Sequence, residues 1–204
     1  MCIRDSSNPV STSRVLELNG LKFAPVGAVG REAKMSALAS FSVPSGCGTW
    51  SFLVDLDSSA PVVVAATLTD IDDMLSRLTP PELERGTKAS KDPGGLASVI
   101  RAYFAGDLKE IDGISVVQPG GPFKQRVWVG MRKVKPGKPE SYAQLAARAK
   151  NPKAVRAAGS ACATNRIPLI VPCHRIVRTG GALGNYYYGS DIKAWLLDHE
   201  AKHA

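Results

Sequence analysis

Within the stretch IPLIVPCHRIV, a cysteine, a histidine and an arginine stand side by side as Cys173, His174 and Arg175, and a carboxylate, Glu200, lies in the last segment of the chain. A thiol is a weak nucleophile until it loses its proton, so Cys173 needs a neighbouring base or positive charge to attack carbon. His174 is the adjacent base, and a carboxylate that fixes the imidazole tautomer completes the relay. Successive side chains on an extended strand point to opposite faces. A direct bond between Cys173 and His174 therefore requires a bend, and otherwise a bridging water carries the proton. The same residues have plainer roles open to them. A cysteine in an apolar run is commonly an inert core residue, and His174 can be a satisfied structural histidine. Cys162, Cys173, His174 and His199 match no standard zinc spacing, so no metal is expected.

The elements around these residues are legible from periodicity. Residues 167–171 form a Pro-bracketed apolar run that reads as a buried, strand-like segment delivering the thiol. SDIKAWLLDHEAKHA reads as a helix capped by Ser190 or Asp191, with Ile192, Trp195, Leu196 and His199 on one face. That face docks on the core and carries His199 or Glu200 toward what lies beneath. SYAQLAARA opens with Ser141 and Gln144 at capping-box spacing. NPKAVRAAGSACA follows, with Asn151 as its cap and Pro152 at the first helical position. The two make a helix-turn-helix candidate. The second helix is nearly all small residues, among them Ala157 and Ser160, so it can lie close to another helix or to a nucleic-acid groove. Arg156 is misplaced on a face buried against protein, but suits one that enters a groove or base stack.

Upstream, WSFLVDL and PVVVAATL read as strands, DIDDMLSRL and LASVIRAYFAGDL as helices, and residues 79–95 as a polar connection. ISVVQPGGPF reads as a strand running into a linker at Gly120–Gly121–Pro122, and FKQRVWVGMRKV as a helix beyond it. The expected organisation is a polar, disordered leader over 1–39, an α/β domain over 40–118 and a mainly α domain over 119–204.

Charge divides at the same place. Residues 1–118 carry 11 Lys/Arg against 14 Asp/Glu, whereas residues 119–204 carry 15 against 4. So basic a second half fits a nucleic-acid-facing module, or simply a solvated basic surface. No apolar run is long enough for a membrane span, and no secretory signal is evident. The four cysteines form no disulfide or CxxC pattern, so reduced thiols in a cytoplasmic or nuclear setting are expected.

PCHRIV, preceded by SYAQLA and NPKAVRAAGSACATNRIPLIV and followed by GALGNY and KAWLLDHE, closely resembles the O6-alkylguanine-DNA alkyltransferases. The resemblance runs loosely from Trp50 and strongly over the last 80 or so residues. It implies a ribonuclease-H-like N-terminal domain on a helical domain whose recognition helix enters the minor groove, with the damaged guanine flipped into a pocket. It implies that Cys173 takes the alkyl group irreversibly in a single displacement. By the same resemblance His174 is the water-mediated base polarised by Glu200, Tyr142 protonates the leaving guanine, and Lys193 lies near the pocket. Arg156 fills the gap left by the flipped base and Asn165 ties the recognition helix to the active site. Ala157, Ser160 and Arg166 fall on the DNA side. Tyr186, Tyr187 and Tyr188 form the pocket wall, where the carbonyls of Cys173 and Ile176 read the guanine amine. The implied partner is double-stranded DNA bearing O6-alkylguanine, bound by a monomer without a cofactor.

Three departures from the family pattern stand out. Arg166 replaces a usual proline and either strengthens the DNA-backbone contact or is simply solvated. Ala163 and Thr164 replace an arginine or glycine, with the loss of one phosphate contact, and Tyr187 and Tyr188 replace small residues. The two tyrosines either narrow the pocket toward methyl adducts or point outward onto DNA, and the first is expected. The alternatives are a non-transferring damage binder, a helix-turn-helix regulator with an incidental thiol, and a cysteine hydrolase.

Overall fold

The computed structural model describes residues 35–204 together with two short paired strands, β1 (Leu16–Leu18) and β2 (Leu21–Phe23). Most of the expected leader lies outside the described residues, and β3 begins at Leu38, inside its expected bounds.

A five-stranded mixed sheet anchors the N-terminal half, in the order β6-β3-β4-β5-β7. Its strands are β3 (Leu38–Ser45), β4 (Gly48–Asp55), β5 (Val62–Thr67), β6 (Thr87–Ala89) and β7 (Ser115–Val116). β3, β4 and β5 pair antiparallel, and the outer strands add parallel to them. The two-residue period sorts the side chains. Trp50, Phe52 and Val54 pack with the helix α3 (Leu96–Phe104), while Leu53 faces Met74 and Leu78 around α1 (Ile71–Ser76). Asp70 caps α1, its side chain accepting the Asp73 N–H.

The connection read as polar and irregular contains the short helix α2 (Pro80–Glu84) and strand β6. A Thr79/Glu82 capping box and Pro80 start α2, both sequence-readable signals. α3 stops at Phe104, just before the glycine of Ala-Gly-Asp expected to end it, and Gly106 turns the chain at φ 110°.

The C-terminal half holds α4 (Pro122–Arg132), α5 (Tyr142–Arg148), α6 (Val155–Ala163) and α7 (Ser190–His203), with a two-stranded ladder of β8 (Glu140–Ser141) and β9 (Ile176–Val177). The expected capping box opens α5: Ser141 Oγ accepts the Gln144 N–H. Lys150 then takes a left-handed φ of 61°, and the Lys150 and Asn151 N–H groups close back onto Ala147 and Ala146, the Schellman arrangement in which glycine is usual. α6 starts later than expected. Asn151 and Pro152 lie in the preceding turn and Ala154 is the N-cap. Gly189, not Ser190 or Asp191, caps α7.

One hydrophobic core spans both halves. Phe41, Phe52, Ile100 and Tyr103 belong to the same buried cluster as Val127, Leu145, Ala158 and Leu196. No helix among the described residues is long and apolar enough to cross a membrane.

Candidate active site

The segment from Ile167 to Val171 is not a strand. Leu169 sits at φ 73°, the Val171 N–H turns back to Ile167 O, and the Cys173 N–H turns back to Val171 O at 2.8 Å. Pro168 and Pro172 lack N–H donors, so the segment cannot support a regular ladder. A 3-10 turn at Cys173–Arg175 supplies the bend that an extended chain lacks.

Cys173 is 8% exposed and opens onto a cavity of ≈ 420 Å³. Tyr142, Gly159, Cys162, Asn165, Tyr186 and Tyr188 contribute to its wall. Burial pushes the Cys173 thiol up from its ordinary value, and the Asn165 hydrogen bond and Lys193 offset only part of that. The resting sulfur therefore keeps its proton at neutral pH and needs a base. Asn165 Nδ2 sits 3.3 Å from Sγ and also donates to Val171 O at 2.7 Å.

His174 is fully buried, and its Nε2 lies 2.9 Å from Glu200 Oε1. Glu200, also fully buried, accepts the Tyr103 hydroxyl at 2.6 Å and Arg175 Nε at 2.9 Å. Burial alone would raise the Glu200 carboxyl, but His174 and Arg175 outweigh it and hold it well below the usual carboxylate range. Burial pushes His174 down, and the attraction of Glu200 does not fully compensate. The pair is thus a carboxylate facing a neutral imidazole. An ionised Glu200 accepts the Nε2 proton, so the basic lone pair is on Nδ1. Among the described residues this buried Nδ1 meets no hydrogen-bond partner. Arg175 further donates to Val134 O at 2.6 Å, tying the turn to the end of α4.

The docking face of α7 delivers Glu200 rather than His199. His199 stacks on Trp195 and its Nε2 bonds Tyr103 O at 3.0 Å. Among the described residues no group of three His, Cys, Asp or Glu is placed to hold a metal.

The other expected site residues divide. Arg156, Ala157 and Ser160 lie exposed on α6, whose Gly159, Cys162 and Ala163 line the cavity. Lys193 is buried and does not line it; Nζ donates to Ile176 O at 2.6 Å and to Leu183 O. Ile176, expected at the pocket, is buried outside the cavity wall and its carbonyl is already occupied by Lys193. Arg166, expected on the DNA side or solvated, is 5% exposed and forks onto both Glu82 oxygens at 2.9 and 2.5 Å. A guanidinium so paired has no face left for phosphate.

The tyrosines split as well. The Tyr186 hydroxyl is buried in the cavity wall without a partner among the described residues. Tyr188 is half-buried, edge-on to Trp50 at 5.6 Å, with its hydroxyl 3.4 Å from Thr67 Oγ1. Tyr187 is 57% exposed, donates to Asp73 Oδ1 at 2.6 Å and lies under the Arg77 guanidinium at 4.2 Å. Both tyrosines line the cavity, Tyr187 reaching back to Asp73 of α1 and Tyr188 to β4 and β5.

Comparison with known proteins decides the family. The profile described as 6-O-methylguanine DNA methyltransferase, DNA binding domain, matches residues 122–202. A probable methylated-DNA--protein-cysteine methyltransferase of Acanthamoeba polyphaga mimivirus is 39% identical over 105 residues, covering 52% of this chain and 70% of that protein. The chain belongs to the methylated-DNA--protein-cysteine methyltransferase family. The Salmonella typhimurium member is 41% identical over 112 residues, or 55% of this chain, and the match spans 66% of that relative's length. The solved Mycobacterium tuberculosis O6-methylguanine methyltransferase superposes with a TM-score of 0.65 at 28% identity, covering 83% of this chain and 95% of that one. A crystal structure of Mycobacterium tuberculosis OGT in complex with DNA superposes with a TM-score of 0.64, covering 81% of this chain and 94% of that one. In this methyltransferase-family chain the mixed sheet and the helices share one buried cluster. Neither Gln118 nor Glu82 was singled out by sequence, because each acts through a partner far away along the chain.

Proposed function

We propose that the protein repairs DNA by transferring the alkyl group of O6-alkylguanine to Cys173, once per molecule. The observation that carries this reading is the buried pairing next in the chain to the cavity-facing thiol. A protonated thiol opens to the cavity, and the next residue is a buried neutral imidazole whose Nε2 is held by an ionised carboxylate. That arrangement suits proton removal at the moment of attack and needs no standing thiolate.

In the proposed step the thiol proton passes through a water to His174 Nδ1, and the resulting imidazolium is stabilised by Glu200. The sulfur attacks the alkyl carbon, the carbon–oxygen bond breaks and a thioether forms. Guanine leaves with the electron pair of that bond, and Tyr142 supplies a proton to its ring nitrogen, lowering the barrier to an otherwise anionic leaving group. A thioether is not hydrolysed under mild conditions, so the protein is consumed in stoichiometric fashion.

For DNA, α5 and α6 act as a helix-turn-helix whose exposed face, with Arg156, Ala157 and Ser160, enters the minor groove. Small side chains let the helix backbone approach closely, and Arg156 fills the space of the flipped base. Residues 40–118 form the ribonuclease-H-like domain and 119–204 the DNA-binding domain of a monomer. The Mycobacterium complex with DNA supports a nucleic-acid partner, and the basic second half supports the same face. Asn165 ties the end of α6 to the sulfur through its bonds to Val171 and Cys173.

The test is a duplex carrying O6-methylguanine with a tritiated methyl group. One label per chain remains with the protein after nuclease digestion, and the count does not rise with excess DNA. Cys173→Ala retains none. Binding of the damaged duplex without label transfer would instead mark a damage binder.

A further inference from the structure

The segment that carries Asn165 is fastened from the N-terminal half. Ala66 in β5 donates its backbone N–H to Arg166 O at 2.8 Å. The Arg166 guanidinium reaches Glu82 and the Arg77 carbonyl. Between these ties lies Gln118, two residues beyond β7 and 5% exposed. Its Oε1 accepts the Arg166 N–H at 3.0 Å and its Nε2 donates to Asn165 Oδ1 at 3.1 Å. Asn165 Oδ1 also accepts the Ile167 N–H at 3.1 Å. With its oxygen held by two donors, Asn165 turns Nδ2 toward Val171 O and the Cys173 sulfur. The atom assignments follow from chemistry, since a backbone N–H can only donate and a backbone carbonyl can only accept.

We propose that Gln118 is a positioning residue for the acceptor thiol, acting through Asn165 to hold an amide N–H against the Cys173 sulfur. Donation from Gln118 into the Asn165 carbonyl polarises that amide and strengthens the N–H it presents at the far end, by roughly 10–30% per bond in such chains. A donor on sulfur favours the anion over the thiol, countering the burial that opposes ionisation. Gln118 also keeps Asn165 seated when Cys173 changes charge, because its own amide is locked by a backbone donor that cannot move with the reaction. The proposal rests on Cys173 as alkyl acceptor for its consequence in repair, but its effect on the thiol is measurable without DNA.

The experiment uses the full chain with Gln118→Met, which keeps length and bulk without the amide, and Gln118→Glu, which still accepts the Arg166 N–H but has no proton for Asn165. Cys173 is alkylated with iodoacetamide across a pH series and quantified by peptide mass spectrometry. In Gln118→Met the midpoint of the Cys173 profile moves upward by about half a pH unit, so the rate near neutral pH falls about threefold and recovers in alkali. Gln118→Glu moves it further, and it carries the test if the Met variant does not fold. Affinity for unmodified duplex stays as in wild type. In an Asn165→Leu background, Gln118→Met gives no additional shift, as expected for residues that act as one unit. An unmoved midpoint, or an undiminished shift without Asn165, overturns the proposal. Failure of the wild type to accept a methyl group from DNA would remove the repair function instead, and the iodoacetamide profile would still decide the role of Gln118.

Discussion

Replacing Glu200 with Gln preserves shape and removes one charge from a site with no solvent to compensate. The carboxylate accepts hydrogen bonds from Tyr103, His174 and Arg175, and Arg175 is 2% exposed. An amide there turns its NH2 toward these donors and leaves the Arg175 guanidinium buried without a counter-charge. Removing one partner of a buried ion pair costs about 3–5 kcal/mol. At about 2–4 °C per kcal/mol for a chain of this size, Tm falls by about 6–20 °C. Since total stability is about 5–15 kcal/mol, most of the population remains folded at low temperature, where function can be assayed. There the imidazole no longer has an anion to stabilise its protonated form, and methyl transfer slows by about 10²–10⁴-fold. Differential scanning calorimetry and single-turnover transfer with methylated duplex, both at low temperature and on the same sample, give the two numbers. A variant that melts within about 2 °C of wild type and transfers at the wild-type rate would refute the reasoning, because it would mean that neither the charge nor the tautomer matters.

Acidification destabilises the protein in two stages. His174 is depressed in the folded state, so the unfolded chain binds its proton first and stability is lost as pH falls below about 6.5. Glu200 is depressed too and contributes stability that disappears at lower pH, as the carboxyl is forced to protonate. Thermal melts across pH show the first stage, and His174→Gln flattens it. Arg166→Leu leaves Glu82, itself 18% exposed, without its partner; a loss of about 1–3 kcal/mol in urea titrations is expected with duplex affinity unchanged, whereas a DNA-contacting arginine would show the reverse. Tyr188→Gly widens the cavity wall next to Trp50 and should raise the rate on benzyl adducts relative to methyl in competition assays. An unchanged ratio would show that Tyr188 does not limit adduct size.

The parts of the site that were legible in the sequence are those encoded locally. Cys173 and His174 are chain neighbours, and the helical period of α7 turns the His199–Glu200 pair toward the core, where Glu200 is the one that meets His174. The capping box of α5 was readable for the same reason. What depends on distant partners was not. Arg166 looks like a surface charge until α2 brings Glu82 to it across 84 residues of chain. The thiol segment reads as a strand by its apolar content, but its prolines and the left-handed Leu169 make it a series of turns. Asn151 and Pro152 satisfy the rules for a helix start, yet the chain uses them in the turn that separates α5 from α6. Of the N-terminal sheet, β4, β5 and β7 were read from local pattern, whereas β3 and β6 were not, and the parallel pairings of β6 and β7 are recorded by no local pattern.

The central claim is that the Cys173 sulfur itself becomes the permanent home of the alkyl group. Intact-mass measurement after incubation with an equimolar O6-methylguanine duplex, followed by peptide mapping, tests it directly. The account predicts a single added methyl, located on Cys173, stable to reducing agent and to repeated washing, with unmodified guanine restored in the DNA. Restored guanine with an unmodified Cys173, or a methyl group found on Cys162 or Cys47 instead, would contradict it.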